Sequence, residues 1–406
     1  MTTGRGKILT TLCISGLLFF QGFSQSNMVS GEQAWGDINT ISTAVPFLSI
    51  APDSRGGAIG DAGVATSPDA SSLHWNPAKY AFIEGNMGVA ISYTPWLRAL
   101  INDINLGYLS GYSRMDENQV FALSLLYFSL GDITFTDIVG NTIGQFNPHE
   151  FAISGAYSRL LTDNLSGGMS LRYIYSNLTG GQYVGNTESH PGNSLAADVS
   201  LYWRKKGISI YERDSELAFG LNISNIGAKI SYTENSEKDY IPTNLRFGGA
   251  LTMDIDKYNS LCFTADINKL LVPTPPRYYT DSTDSDGKRV IEYGKKSEVS
   301  VPVGMVQSFY DAPGGFKEEL REYAYSLGME YWYAGQFALR GGYFHEHETK
   351  GNREFFTFGV GLKLNIFGLD FGYLIPTKGG NNNPLANTLR FTLLFDFDNL
   401  SEKAKE

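Results

Sequence analysis

The run LRFTLLFDFD (Leu389–Asp398) alternates with period two. Leu389, Phe391, Leu393, Phe395 and Phe397 fall on one side; Arg390, Thr392, Leu394, Asp396 and Asp398 fall on the other. Successive side chains of a β-strand point to opposite faces of its sheet, so this reads as a strand with one apolar and one mostly polar face. FFTFGVGLKL (Phe355–Leu364) repeats the pattern, and YAYSLGMEYWY (Tyr323–Tyr333) carries tyrosines at both ends of its apolar face, where interfacial aromatic girdles belong. Fourteen such segments follow one another: 86–94, 104–114, 119–130, 149–160, 165–178, 194–204, 215–226, 243–255, 260–270, 322–334, 336–347, 354–364, 366–374 and 387–398. Tight turns join the second to the third, the fourth to the fifth, the eighth to the ninth, the tenth to the eleventh and the twelfth to the thirteenth. The link from the sixth to the seventh is moderate, the others are mostly longer, and the ninth-to-tenth link covers 271–321 without a strand pattern. A soluble sandwich has no reason to sort its connections by parity, whereas an outer-membrane barrel does. In hydrocarbon every backbone donor and acceptor needs a partner, and a closed barrel supplies them all. The expectation is an all-β chain: a 14-stranded antiparallel transmembrane barrel over 86–398, with a long extracellular loop at 271–321 and both termini on the periplasmic side.

Composition agrees. Charged residues make up 18% of the chain, against about 25% in ordinary soluble domains, while Gly (45), Tyr (24) and Phe (25) are plentiful. Arg5 and Lys7 precede an apolar stretch, Ile8–Phe20, and Gly22-Phe23-Ser24 supplies small residues; 1–24 reads as a cleaved secretory signal peptide. Cys13 lies within the apolar stretch after TTL, without the small residue expected before a lipidated cysteine. Cleavage leaves Cys262 alone, so no intramolecular disulfide can form. The net charge of −10 becomes more negative once Arg5 and Lys7 leave, which argues against nucleic acid as a partner. After the leader no stretch approaches 18 consecutive apolar residues, so no helix is expected to span a membrane. Inward charges such as Arg246, Asp254, Asp266, Glu330 and Arg340 are tolerated because they face the lumen. Residues 399–406 read as a short periplasmic tail.

Residues 25–85 lack the alternation and are apolar in patches, such as AVPFLSIA (Ala44–Ala51). A barrel lumen must be filled or left as a pore, and this segment is assigned to the lumen as a hatch or plug. Gly56, Gly57, Gly60 and Gly63 permit close approach to the inner wall. Asp69, Ser71 and Asn76 suit caps and turns, and Pro77 biases Asn76 toward an extended shape.

SRGGAIGDAGVATSPDASSLHWNPAKYA resembles the amino-terminal hatch of the FadL-type outer-membrane barrel superfamily. Arg55, Gly56, Gly60, Ala62, Ala65, Asp69, Ala70, Ser71, Asn76, Pro77 and Ala78 match that pattern in order, with Gly63 and Trp75 between them. FGLNISNIGAKISY (Phe219–Tyr232) and IPTNLRFGGALT (Ile241–Thr252) match two further superfamily strands. Within the superfamily the whole chain is similar to the PorV (LptO) family of the type IX secretion system of Bacteroidota. AVPFLSIAPDSRGGAIGDAGVA, SSLHWNPAKYAF, SYTPWLR, LVPTPP and GLDFGYLIPT carry that resemblance. It implies a non-enzymatic component of the outer membrane, with its lipid and lipopolysaccharide, that binds the carboxy-terminal signal domain of secreted cargo. Such proteins dock on the SprA (Sov) translocon barrel and carry cargo to an attachment complex with a sortase-like peptidase. The alternative is a FadL-like channel for long-chain fatty acids or other small hydrophobic compounds.

No chemistry competes with these readings. GGAIGDAG lacks the preceding strand and the GK[ST] ending of a phosphate loop. His345 and His347 could ligate a metal but sit at a loop start, where a solvated rim is the simpler reading. TDSTDSDGK (Thr280–Lys288) misses the calcium-loop spacing. No nucleophile–histidine grouping stands out, so no catalysis, cofactor or metal is expected. The partner-binding candidates are the loops. In 271–321 they are Pro273, Pro275, Tyr278, Met305, Phe309 and Tyr310. The second candidate is the tip after the first strand, with Trp96, Leu97 and Leu100.

Overall fold

The computed structural model describes residues 38–397, apart from 99, 102, 137–138, 182, 185–186, 234–237, 286 and 380–382. The expected signal peptide, the first part of the hatch and the tail lie outside the described residues. Fourteen strands close into an antiparallel barrel. They are β1 (Met87–Pro95), β2 (Asn105–Asp116), β3 (Gln119–Ser129), β4 (His149–Thr162), β5 (Leu165–Asn177), β6 (Gly192–Ile210), β7 (Arg213–Gly227), β8 (Asn244–Asp254), β9 (Asn259–Leu270), β10 (Tyr323–Tyr333), β11 (Phe337–His345), β12 (Glu354–Leu364), β13 (Phe367–Pro376) and β14 (Thr388–Asp396). The seam pairs β1 with β14, from Gly88 opposite Asp396 to Tyr93 opposite Phe391.

All tight turns lie at one end and all long loops at the other. The link from β6 to β7 departs from expectation: it is the tight turn Tyr211-Glu212, and both strands run further than their apolar alternation does. Both turn residues are left-handed, at φ 50° and 62°. Two successive positive φ angles match the right-handed twist of the flanking strands. The 271–321 loop also departs, because it contains a two-stranded hairpin, Arg277–Thr283 with Arg289–Tyr293, and two short helices, α3 (Val301–Gln307) and α4 (Phe316–Arg321).

The outer face is the apolar one. Leu123, Ile153, Leu171, Leu195, Phe247, Leu327, Phe358 and Leu393 are among its exposed side chains. A Lys or Arg placed there at mid-depth costs about 2–4 kcal/mol in a bilayer. Toward the long-loop rim Tyr93, Tyr173 and Tyr373 each donate a hydroxyl proton to an asparagine of the next strand or its start: Asn105 at 2.6 Å, Asn193 at 2.6 Å and Asn387 at 3.0 Å. Ring in hydrocarbon and hydroxyl at the headgroups is the arrangement an interfacial girdle requires. The inner face carries buried Ser154, Ser158, Ser166, Ser200, Asp266, Glu330, Arg340, Thr357 and Arg390.

The hatch fills the bore. Ala44, Val45, Phe47 and Leu48 pack with Ile104, Leu106 and Phe128 near the long loops. Residues Pro77–Phe82 form a 3₁₀ turn farther down, where Tyr80 packs with Tyr112 and Val120 and Phe82 with Tyr202. Asn39 stands at the long-loop end: its Nδ2 donates to the carbonyl of Pro275. The described chain therefore descends the bore from the loop end and enters β1 at the turn end, where β14 also finishes.

Candidate functional site

Two places concentrate functional chemistry, the hatch and the 271–321 loop. In the hatch, α1 (Ser54–Ala58) is capped by Asp53, whose carboxylate accepts from the Gly56 amide at 2.8 Å and from Trp75 Nε1 at 2.6 Å. The indole of Trp75, carried by α2 (Ser72–Trp75), then lies against Gly56 and Gly63: a Cβ at either would come within 2.3 Å of its ring. Asn76 accepts from the Ala78 amide at 3.0 Å and donates to the carbonyls of Val64 and Leu201 at 2.9 and 3.0 Å. Pro77 opens the 3₁₀ turn that Asn76 caps.

The wall satisfies the hatch backbone, which has no ladder of its own. The amides of Gly63 and Val64 donate to Asp266 at 2.7 and 2.9 Å, that of Gly60 to Thr357 at 2.8 Å, and that of Ser54 to Thr392 at 2.9 Å. Ser166 donates to the Ala78 carbonyl at 2.7 Å. Buried backbone groups require such partners, which explains why the bore is lined with serine, threonine and aspartate. Close approach is mutual. Gly60, at φ 76°, meets the backbone of Leu327 and Tyr343, and a Cβ on Gly342 would lie 2.1 Å from the Gly60 nitrogen. A Cβ on Gly220 would lie 2.0 Å from the Val64 carbonyl oxygen.

A chain of charges ties hatch to wall. Arg55 holds Asp69 at 2.8 Å and grips Glu330 with two nitrogens, at 2.9 and 2.8 Å. Glu330 also accepts from Arg340 at 2.7 Å, and Arg340 reaches Asp370 at 2.6 Å. Removing one partner of such a buried network leaves a charge uncompensated and costs about 3–5 kcal/mol. Burial acts on Asp69 in the opposite sense, but Lys79 and Arg55 outweigh it and hold its carboxyl below the usual range. Asp53 differs: burial and the nearby Asp69 charge lift its carboxyl to about 6. Burial also lowers the Lys79 ammonium to about 8, although it donates to the Gly63 carbonyl and the Thr66 hydroxyl. All eight hatch residues singled out in the sequence thus meet in one luminal assembly. Of the wall partners, Glu330 and Arg340 are readable in the sequence only as inward charges on strands, and Asp370 is not singled out there.

In the 271–321 loop the polar side is the buried one. On α3 and just after it, Gly304, Gln307 and Ser308 are buried, while Val303, Val306, Phe309 and Tyr310 are 44–63% exposed. Gln307 donates to the Lys296 carbonyl at 2.9 Å, and Asp311 accepts from the Thr274 amide at 3.2 Å. Burial raises the Asp311 carboxyl to about 6. The loop base is clasped by buried ions: Lys269 contacts Glu319 and Glu322 at 3.4 and 2.7 Å, and Lys350 contacts Glu318 and Glu322 at 2.6 and 3.0 Å.

The structure divides the sequence candidates. Met305 is half-buried, Phe309 and Tyr310 face outward, and α4 adds exposed Phe316 and Leu320. Pro273 is buried and underlies Gly304, Pro275 is half-buried, and Tyr278 is covered by Arg289 at 4.4 Å. These three lie toward the inside of the loop. Trp96 and Leu97 are likewise partly buried against the Phe47 cluster, leaving Leu100 and Ile101 exposed at that tip. Nothing in the tip's own residues signals that the hatch offers Trp96 and Leu97 an apolar seat. His347 bonds Thr349 at 3.0 Å, and among the described residues no group of three or more His, Cys, Asp or Glu side chains is placed to hold a metal.

A family model described as "Type IX secretion system protein PorV" matches residues 33–277. No curated protein matches the chain. Among solved structures, the toluene transporter TbuX of Ralstonia pickettii is similar at a TM-score of 0.42 and 8% identity, covering 86% of this chain and 98% of that one. A FadL homologue of Pseudomonas aeruginosa scores 0.43 at 12% identity, covering 89% and 100%. The toluene transporter TodX of Pseudomonas putida scores 0.43 at 12%, covering 84% and 95%. At these scores nothing about function follows from the solved structures.

Proposed function

The chain belongs to the PorV family of type IX secretion system proteins, outer-membrane components of that system, and from that premise we propose that it is a non-enzymatic adaptor for secreted cargo. Its outer loops bind the carboxy-terminal signal domain of cargo. The barrel docks against the SprA (Sov) translocon and passes cargo to the surface attachment complex with its sortase-like peptidase. In this reading the turn end faces the periplasm and the long loops face outward.

The observation that carries the proposal is the reversed polarity of α3. A loop helix that only capped the barrel would bury Val303, Val306, Phe309 and Tyr310 and expose Gln307. Here Val303, Val306, Phe309 and Tyr310 stay exposed, and an apolar patch left uncovered at the outer surface supports a protein-binding role. The hatch supports a role at the surface rather than as a conduit, because wall glycines and the Arg55–Glu330 pair anchor it to the inner wall. The test is affinity purification of the tagged chain in mild detergent. Wild type should retain the translocon barrel and proteins sharing one carboxy-terminal domain, and Phe309→Asp should lose the cargo. Loss of long-chain fatty acid uptake on deletion, with secretion intact, would contradict the proposal and restore the channel reading.

A further inference from the structure

Between the top of the hatch and the long-loop end lies a chamber of about 110 Å³. Its lining includes Leu48, His74, Trp75, Arg246, Asn268 and Phe344. Most charges around it are matched. Asp61 faces Arg390 at 3.4 Å, Arg172 holds Asp198 at 3.0 Å, Arg353 holds Glu346 at 2.8 Å, and Glu322 lies between Lys269 and Lys350. Arg246 is the exception. Its Nε donates to Asn268 at 2.8 Å and its guanidinium lies 4.7 Å from the Trp75 ring centre, but among the described residues no carboxylate lies within ion-pair distance. His74 stands edge-on to the same indole at 4.9 Å, and its buried Nε2 has no hydrogen-bond partner.

We infer that this chamber is a receptor for a single carboxylate group, held by the outer nitrogens of Arg246 with His74 as a second polar contact. Three arguments converge. Arg246 is half-buried, the carboxylates of Asp266 and Asp61 act on it only from beyond ion-pair distance, and a planar carboxylate matches its open fork with two charge-assisted bonds. The indole fixes the plane of the guanidinium and leaves its edge available. The space exceeds the roughly 30 Å³ that one water occupies in the liquid, and suits a carboxylate with a short stem. Burial, with Arg246 and Arg172 nearby, holds the His74 imidazole well below its usual value, so it meets a ligand as a neutral group. Two sources share this chemistry: the free end of a polypeptide and a fatty or other small organic acid. The inference stands whether or not the adaptor reading does, because it concerns one cation and its counter-ion.

The test is isothermal titration of the full chain in non-ionic detergent with four probes: acetate, octanoate, a pentapeptide with a free terminal carboxylate, and the same peptide amidated. Saturable binding of acetate and of at least one larger carboxylate is expected, with the amidated peptide at least tenfold weaker than the free one if the peptide is the better ligand. Peptide binding tighter than octanoate assigns the chamber to a chain terminus; the reverse assigns it to an organic acid. Arg246→Gln should weaken the better ligand at least tenfold while keeping the heat-modifiable gel band of a closed barrel. If that variant lacks the band, Arg246→Lys, which keeps the charge but loses the fork, should show a weakening of several-fold. Absence of saturable carboxylate binding to wild type, or equal affinity in a folded Arg246 variant, would overturn the inference.

Discussion

The hatch and the 271–321 loop are both non-strand insertions attached to one barrel, yet they bury opposite kinds of surface. The hatch turns glycine, backbone amides and charges toward the wall, and nearly every polar group finds a partner there, as Asn76, Gly63 and Arg55 do. The loop buries Gln307 and Asp311 against itself and its glutamates against Lys269 and Lys350, and leaves Val306, Phe309 and Tyr310 exposed. A segment whose apolar and polar needs are both met internally serves stability. A segment that satisfies only its polar groups leaves its apolar surface for another molecule. Substitutions in the two regions should therefore separate folding from binding.

The largest effect is expected at Gly220. A valine there drives its Cβ into the Val64 carbonyl, which lies 2.0 Å from the ideal Cβ position. Gly220→Val should fail to give the folded gel band after refolding in detergent. Survival of that band would mean the hatch is not seated against β7. Next comes Arg55→Met, which strips Glu330 of one of its two guanidinium partners. Urea titration followed by tryptophan fluorescence should show about 3–5 kcal/mol lost, and a change below about 1 kcal/mol would break the contrast between hatch and loop.

The third prediction is a pH slope from Asp53. Its carboxyl titrates near 3.8 when unfolded and at about 6 when folded, so between those values the folded chain binds more protons. Its contribution to stability is therefore present below 3.8 and lost as pH rises through about 6. Asp53→Asn should flatten the urea midpoint across that window; an unchanged slope would remove Asp53 as its source. The smallest effect on stability belongs to the loop: Val306→Ser should stay within about 0.5 kcal/mol of wild type, as surface substitutions do. A loss comparable to that of Arg55→Met would mean that Val306 is covered.

Much of this architecture is legible in the alternation, because a strand with lipid on one side and a polar bore on the other must repeat every two residues. The barrel strands fall close to the positions read from the sequence. The alternation fails where strands leave the membrane: β6 and β7 continue to Tyr211-Glu212 through RKKGISI and RDS, where no apolar face is required. The Arg277–Tyr293 hairpin was hidden for the same reason. The hatch could be recognised from glycine spacing and caps, but its partners could not. Arg55 and Glu330 are 275 positions apart, and only the closed barrel brings them together. Trp96 illustrates the reverse case: an apolar loop tip read as a contact surface is partly seated on the Phe47 cluster.

The central claim is that the outward face of α3 meets another protein at the cell surface. The most direct measurement is photocrosslinking in living cells from a benzophenone side chain at Val306, with Leu362 on the lipid-facing wall as the control. The account predicts protein adducts from position 306 that carry a common carboxy-terminal domain, and none of them from position 362. No protein adduct from 306, or the same adducts from both positions, would contradict it.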